Sequence, residues 1–224
     1  MIAFEPASET WAGISAKEPS VIYEIRTYDL KPRSVPEFEK RTGEMIAGRQ
    51  KYSQLGGFWY TEVGPLNQVV HIWPYEDLNQ RSEIRAKAVS DGAWPPDNSE
   101  FIVNMQTEIF TPAPFMTPLG ERKIGPVYEM RIYTYPPGAI PKVLEAWGGA
   151  IAEREKYSPL AGAWYSEIGG LNKWVHLWAY ESFEQRAKVR AQTREDGVWP
   201  PPSGVTPLKQ ENKILTPMSF PPMS

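Results

Sequence analysis

Hydrophobic and polar positions change their period repeatedly along the first half of the chain, and each change marks an element. Residues 21–28 alternate, with Tyr23, Ile25 and Thr27 on one side and Glu24, Arg26 and Tyr28 on the other, which is the two-residue period of a strand. From Pro36 the period lengthens. Phe38, Thr42, Met45, Arg49 and Tyr52 fall at helical spacing behind a proline suited to a first turn, predicting a helix that ends near Ser53. Gly56 and Gly57 read as turn glycines, after which residues 58–63 and 68–75 flank Gly64-Pro65-Leu66-Asn67 as a hairpin. Asp77 with Gln80 forms a capping box that starts a second helix, and Gly92 is placed to cap its C-terminus before Trp94-Pro95-Pro96. A last extended segment over 101–111 completes the order β-α-β-β-α-β, the ferredoxin-like arrangement.

The whole series returns 105 positions later without a gap, from Tyr23/Tyr128 to Thr111/Thr216. Ser182 and Gln185 replace Asp77 and Gln80, Gly197 stands for Gly92, and the final segment recurs over 208–216. The expected organisation is an arm over 1–20, one repeat over 21–112, a Pro- and Gly-rich linker over 113–126, a second repeat over 127–217 and a tail over 218–224. A ferredoxin-like sheet carries helices on one face only, so its other face needs a cover. Two such units packed sheet against sheet make a barrel. The expected fold class is therefore α+β, with tandem ferredoxin-like repeats forming a barrel-type pseudo-dimer within one chain, although a homodimer would close the barrel equally well.

Alternation also sorts the candidate chemistry. Glu24, Arg26 and Tyr28, repeated as Glu129, Arg131 and Tyr133, share one strand face, and the expectation is that this polar face looks into the barrel. Val69, His71, Trp73 and Tyr75 share a face of the third strand, as do Trp174, His176, Trp178 and Tyr180, and strands one and three of such a sheet are neighbours. A four-residue hairpin turn would set Tyr60 opposite His71 and Glu62 opposite Val69, with Tyr165 and Glu167 as their counterparts. These rows describe an aromatic pocket holding a few polar groups, the make-up of a small-molecule site. His71 or His176 beside Glu24 or Glu129 would act as general base, and Arg26 or Arg131 would hold an oxyanion or a substrate carboxylate. Tyr28, Tyr133, Tyr60, Tyr165, Trp73, Trp178 and Trp174, with Glu62 and Glu167, would contact the substrate. The competing reading is a buried Glu/Arg pair and a hydrogen-bonded histidine that only hold the fold together.

The strand Tyr23-Glu24-Ile25-Arg26-Thr27-Tyr28 and the run from Gly57-Phe58-Trp59 through His71-Ile72-Trp73 to Tyr75-Glu76-Asp77-Leu78 resemble the NIPSNAP domain. The resemblance covers both repeats. It implies the dimeric α+β barrel fold, and it brings in a wider group of barrels that includes cofactor-free monooxygenases, isomerases of small ring compounds and haem-binding enzymes. Some members of the family are linked to mitochondria and to protein scaffolding.

Composition narrows the alternatives. A net charge of −3 leaves no basic surplus for a nucleic-acid backbone, and the apolar runs are too short for a membrane span. Without cysteine there is no thiol chemistry, which fits a reducing, cytoplasmic compartment. No export or organelle signal is read in the first twenty residues, where Trp11, like Phe115 and Phe220 elsewhere, is expected to anchor its segment on another surface. No cofactor is required, and one histidine per repeat is few for a metal, although His71 or His176 could ligate haem iron or join Glu62 or Glu167 on an ion. Arg81 and Arg85, with Arg186 and Arg190, read as a solvated helix face, and Arg49 and Arg154 as helix C-terminal cations without a catalytic role. Phe58 is replaced by Ala163, Val69 by Trp174 and Pro65 by Gly170, so the half-pockets differ, and the Trp174 half is expected to close on a ligand. The leading expectation is an enzyme performing proton transfer or cofactor-free oxygen chemistry on a hydrophobic or aromatic compound. The alternative is a protein-interaction scaffold.

Overall fold

Each element begins and ends on a local signal. The computed structural model describes residues 21–120, 122, 124–220 and 222. The first repeat comprises β1 (Ile22–Leu30), α1 (Val35–Gln50), β2 (Gly57–Val63), β3 (Gln68–Tyr75), α2 (Leu78–Ser90) and β4 (Ile102–Pro112). The second comprises β5 (Val127–Thr134), α3 (Ile140–Glu155), β6 (Leu160–Ile168), β7 (Lys173–Tyr180), α4 (Phe183–Glu195) and β8 (Lys209–Pro217). Asp77 accepts from the Gln80 amide at 2.8 Å, while the Gln80 side chain accepts from the Glu76 amide at 2.8 Å. Ser182, Gln185 and Glu181 repeat this at 3.0 and 2.7 Å. Gly92 and Gly197, at φ 66° and 68°, turn left-handed just beyond α2 and α4.

The eight strands close one antiparallel barrel in the order β1-β3-β2-β8-β5-β7-β6-β4. Two seams join the repeats, β2 to β8 and β4 to β6, so the barrel closes within a single chain. The pseudo-dimer expected from the repeat is the architecture observed.

The two sheet faces carry opposite contents from those expected. The barrel interior is apolar: Tyr23, Ile25, Trp59, Val70 and Ile72 meet Tyr128, Met130, Trp164, Val175 and Leu177 from the other repeat. Tyr23 packs on Trp164 at 5.8 Å between ring centroids, and Trp59 on Tyr128 at 5.5 Å. Gly57 is not a turn residue. It opens β2, and a Cβ there would lie inside the indole of Trp59; Gly162 does the same for Trp164. A glycine two residues before each tryptophan is what lets the ring lie flat along its strand. The linker returns to this core through Leu119, Met116 and Ile124, and Arg122 donates to the Ala161 carbonyl at 2.7 Å.

The polar rows lie on the outside of the barrel, beneath the helices. One outer cluster joins Phe38 and Ile46 of α1 to Phe58, Val69, Trp73 and Tyr75, and the other joins Val143, Trp147 and Ile151 of α3 to Ala163, Trp174, Trp178 and Tyr180. Both sheet faces are buried in a closed barrel, so burial alone does not say which faces inward. The apolar face went where the two repeats meet, since a shared interior cannot supply partners for charge. Phe115 of the linker packs on Trp147 and Trp174, and Phe220 of the tail on Phe58. Trp11 lies outside the described residues.

Candidate functional site

The β1–β3 and β5–β7 registers bring the two rows together. Arg26 sits opposite His71 and Glu24 opposite Trp73; Arg131 and Glu129 face His176 and Trp178 in the same way. The hairpin register differs from the expectation by two residues. Phe58 is opposite His71 and Tyr60 opposite Val69, because the turn is longer than four residues, yet an even shift leaves Tyr60 on the helix side. Tyr60 and Tyr165 pack partly buried at the edges of the outer clusters. Glu62 and Glu167 are exposed and join neither histidine, and no metal-binding group of acidic, histidine or cysteine side chains forms among the described residues.

Each acidic residue is the centre of an arginine cluster. Glu129, fully buried, pairs with Arg131 at 2.8 Å, with Arg186 at 2.6 Å and with Arg190 at 3.4 Å. Glu24 repeats this with Arg26 at 2.6 Å, Arg81 at 2.5 Å and Arg85 at 3.7 Å, and also accepts from Thr107 at 2.7 Å. Burial alone would raise the Glu24 carboxyl, but the hydrogen bond from Arg81, the Arg26 charge and the Thr107 hydroxyl outweigh it and bring it down to about 2. Glu129 is held low by the same balance of burial, Arg186 and Arg131. The four helix arginines read as solvated are therefore the inner face of α2 and α4. Arg26 Nε and Arg131 Nε donate to the hydroxyls of Tyr28 and Tyr133 at 2.7 and 2.6 Å.

The histidines have a different partner from the expected carboxylate. Trp73 Nε1 donates to His71 Nδ1 at 2.7 Å, and Trp178 Nε1 to His176 Nδ1 at 2.8 Å. A neutral imidazole accepting at Nδ1 carries its proton on Nε2, and in both residues that Nε2 is buried without a hydrogen-bond partner. Burial first, and then the charge of Arg26 or Arg131, holds both imidazoles well below their ordinary range. They are neutral at pH 7 with the one accepting nitrogen occupied. The geometry makes them hydrogen-bond donors and removes the general-base role.

The two halves then diverge. Phe58 lies flat on His71, 4.4 Å between centroids at 4°, with Phe220 edge-on behind it, and Asn98 reaches Thr42 at 3.0 Å across the space beside them. In the second repeat Ala163 frees the strand, and the ring over the histidine comes from the helix: Trp147, where the first repeat has Thr42, packs on His176 at 4.6 Å. Beside it opens a cavity of about 370 Å³ lined by Tyr133, Tyr135, Trp147, His176, Trp178 and Trp199. Arg131, Arg154 and Arg190 also border it. Trp174, expected to close on a ligand, instead packs fully buried behind Trp147 and Phe115.

Several of these residues escaped the sequence reading. Arg49 and Arg154, read as helix C-terminal cations, are buried, each stacked on its tryptophan, Arg49 on Trp73 at 4.4 Å and Arg154 on Trp178 at 4.1 Å. Trp147 and Tyr135 replace Thr42 and Leu30 of the first repeat, and that change of type between copies was the available signal.

Comparison with known proteins gives a consistent result. The NIPSNAP family model matches residues 23–117 and again 128–222. A NipSnap homolog of Dictyostelium discoideum is 34% identical over 181 residues, 80% of this chain and 78% of its own. NipSnap homolog 3B of Homo sapiens is 32% identical over 216 residues, 90% of this chain and 85% of its own. Among solved structures, a candidate monooxygenase from Fusobacterium nucleatum superposes with a TM-score of 0.63 over 91% of this chain and 94% of its own, at 10% identity, a likeness of fold alone.

Proposed function

Since the chain belongs to the NIPSNAP family, with its barrel interior given over to packing, we propose that it binds a small hydrophobic or aromatic molecule in the cavity between sheet and helices of the second repeat, and acts on it there. The observation that carries this reading is a 370 Å³ cavity walled by tryptophan and tyrosine, with His176, whose buried Nε2–H has no partner, among its lining residues. That volume lies in the range of small-molecule sites, and a buried donor without an acceptor is the kind of group a ligand oxygen satisfies.

The chemistry the site supports is stabilisation of negative charge. A neutral histidine N–H and the Arg131 guanidinium, both at the cavity wall, favour the ionised form of a bound phenol or enol. Proton transfer and cofactor-free reaction with oxygen both start from that anion, so the earlier choice between them stays with the substrate. Haem ligation fares less well, because Nδ1 of each histidine accepts from a tryptophan and Nε2 carries the proton, which leaves no lone pair for iron. A cytoplasmic setting, read from the cysteine-free composition, belongs to the same proposal.

Titration with 2-naphthol tests it. Bound 2-naphthol is expected to show the absorption of its anion at a pH where the free compound is neutral, and His176→Phe to remove that shift. Binding that is absent, or unaffected by Ala163→Phe, would refute the assignment.

The scaffold reading keeps one observation in its favour. Val63 and Leu66 on the first hairpin, and Ile168 and Leu171 on the second, are each about half exposed or more, so both copies present an apolar tip. Leu66→Asp combined with Leu171→Asp, followed by co-purification, would lose a partner on that reading and leave the cavity untouched.

A further inference from the structure

Arg154 stands apart from the other arginines around the cavity. Glu129 forms ion pairs with Arg131, Arg186 and Arg190 and reaches Arg154 only at longer range. Arg154, only 2% exposed, has neutral partners: Nη1 to Ser158 Oγ at 3.0 Å and to the Ser158 carbonyl at 3.5 Å, and Nη2 to the Tyr180 hydroxyl at 3.4 Å. Its Nε is buried with no partner. No ion pair engages it among the described residues.

A buried charge without a contacting ion-pair partner is costly, and structures normally pair it. The first repeat shows how the cost is kept down where no cavity has been described. Arg49 has shorter hydrogen bonds, 2.7 Å to Ser53 and 3.0 Å to the Tyr75 hydroxyl, and Phe58, Thr42 and Asn98 fill the neighbouring space. In the second repeat the same arginine holds its partners more loosely, keeps a free Nε and borders the cavity. The rings that line the cavity, Trp147, Trp178 and Trp199, meet edge to face or tilted at 4.5 to 6.1 Å, offering walls for a flat molecule.

Resting on the cavity as the ligand site, we infer that its ligand is a flat aromatic monocarboxylate whose carboxylate is read by Arg154. One unpaired guanidinium calls for one negative charge. A planar carboxylate matches its fork of donors, and the aromatic walls take the ring. Arg154 is thus a specificity-determining residue, distinct from His176, which faces the reacting oxygen.

The test is calorimetric binding of two probes of equal shape, 2-naphthoate and the uncharged 2-naphthamide. The wild type is expected to bind naphthoate at least tenfold more tightly than naphthamide. Arg154→Gln should bring naphthoate down to the level of the amide while leaving the amide unchanged, and Arg49→Gln in the first repeat should change neither. Equal binding of both probes by the wild type overturns the inference without needing any variant, and so does a naphthoate preference that survives Arg154→Gln. Binding of neither probe overturns the cavity reading beneath it, whereas binding of the amide with no preference for charge sinks the carboxylate assignment alone.

Discussion

Replacing Glu24 by Gln removes one buried negative charge and little else, because the amide keeps the shape and an acceptor oxygen. In the folded protein the carboxyl is brought from an ordinary 4.5 to about 2. That lowering, at about 1.4 kcal/mol per pH unit, comes to about 3–4 kcal/mol of stability. An independent route gives the same size. Breaking a buried ion pair costs roughly 3–5 kcal/mol, and the low end applies here because the Arg26, Arg81 and Arg85 side chains are 9%, 21% and 33% exposed. For a chain of this size that is a fall in Tm of about 6–12 °C. The sign with pH follows from the depressed carboxyl: its contribution is fully present above pH 4.5 and is lost as pH falls toward about 2. Urea unfolding of both proteins should therefore show a gap of about 3 kcal/mol at pH 7 that narrows steadily below pH 4.5. A gap under about 1 kcal/mol at pH 7, the size of a surface pair, or one that does not change with pH, would refute the buried arginine cluster.

Other consequences are equally open to test. Neither imidazole should titrate around pH 6.5 in proton NMR, since burial and the neighbouring arginines hold both well below it; because the unfolded chain takes up those protons, the two histidines contribute stability above that value that is lost as pH falls below it. Gly57→Ala or Gly162→Ala, whose Cβ would enter the ring of Trp59 or Trp164, is expected to destabilise by about 1–3 kcal/mol or more, measured by thermal unfolding. Phe58→Ala should cost about 3–5 kcal/mol, and Thr42→Trp with Asn98→Ser, which copies the second repeat, should restore part of that in a double-mutant cycle rather than add to the loss.

The elements themselves were open to reading because their signals are local. Pro36, the Asp77/Gln80 and Ser182/Gln185 capping boxes, and the glycines at 92 and 197 each act within a few residues, and the observed ends fall within about three residues of the expected ones. Adjacency of β1 and β3 followed from the β-α-β-β-α-β order, and barrel closure from the repeat. What failed was the choice of face. Alternation separates Glu24 and Arg26 from Tyr23 and Ile25 but does not say which set meets the second sheet. Two partners of Glu24, Arg81, 57 residues away, and Arg85 one turn further along α2, are too distant in the chain for local spacing to join them to it. The cavity was hidden for a similar reason: the exchange of Phe58 and Thr42 for Ala163 and Trp147 moves one ring from strand to helix, and only the fold shows that both positions cover the same histidine.

The central claim, that the ligand site lies between sheet and helices of the second repeat and not inside the barrel, is tested most directly by following the tryptophan indole N–H signals during titration with 2-naphthol. The signals of Trp147, Trp178 and Trp199 should shift together while those of Trp59 and Trp164 in the barrel core stay in place. Shifts confined to Trp59 and Trp164 would return the site to the barrel interior and contradict the account.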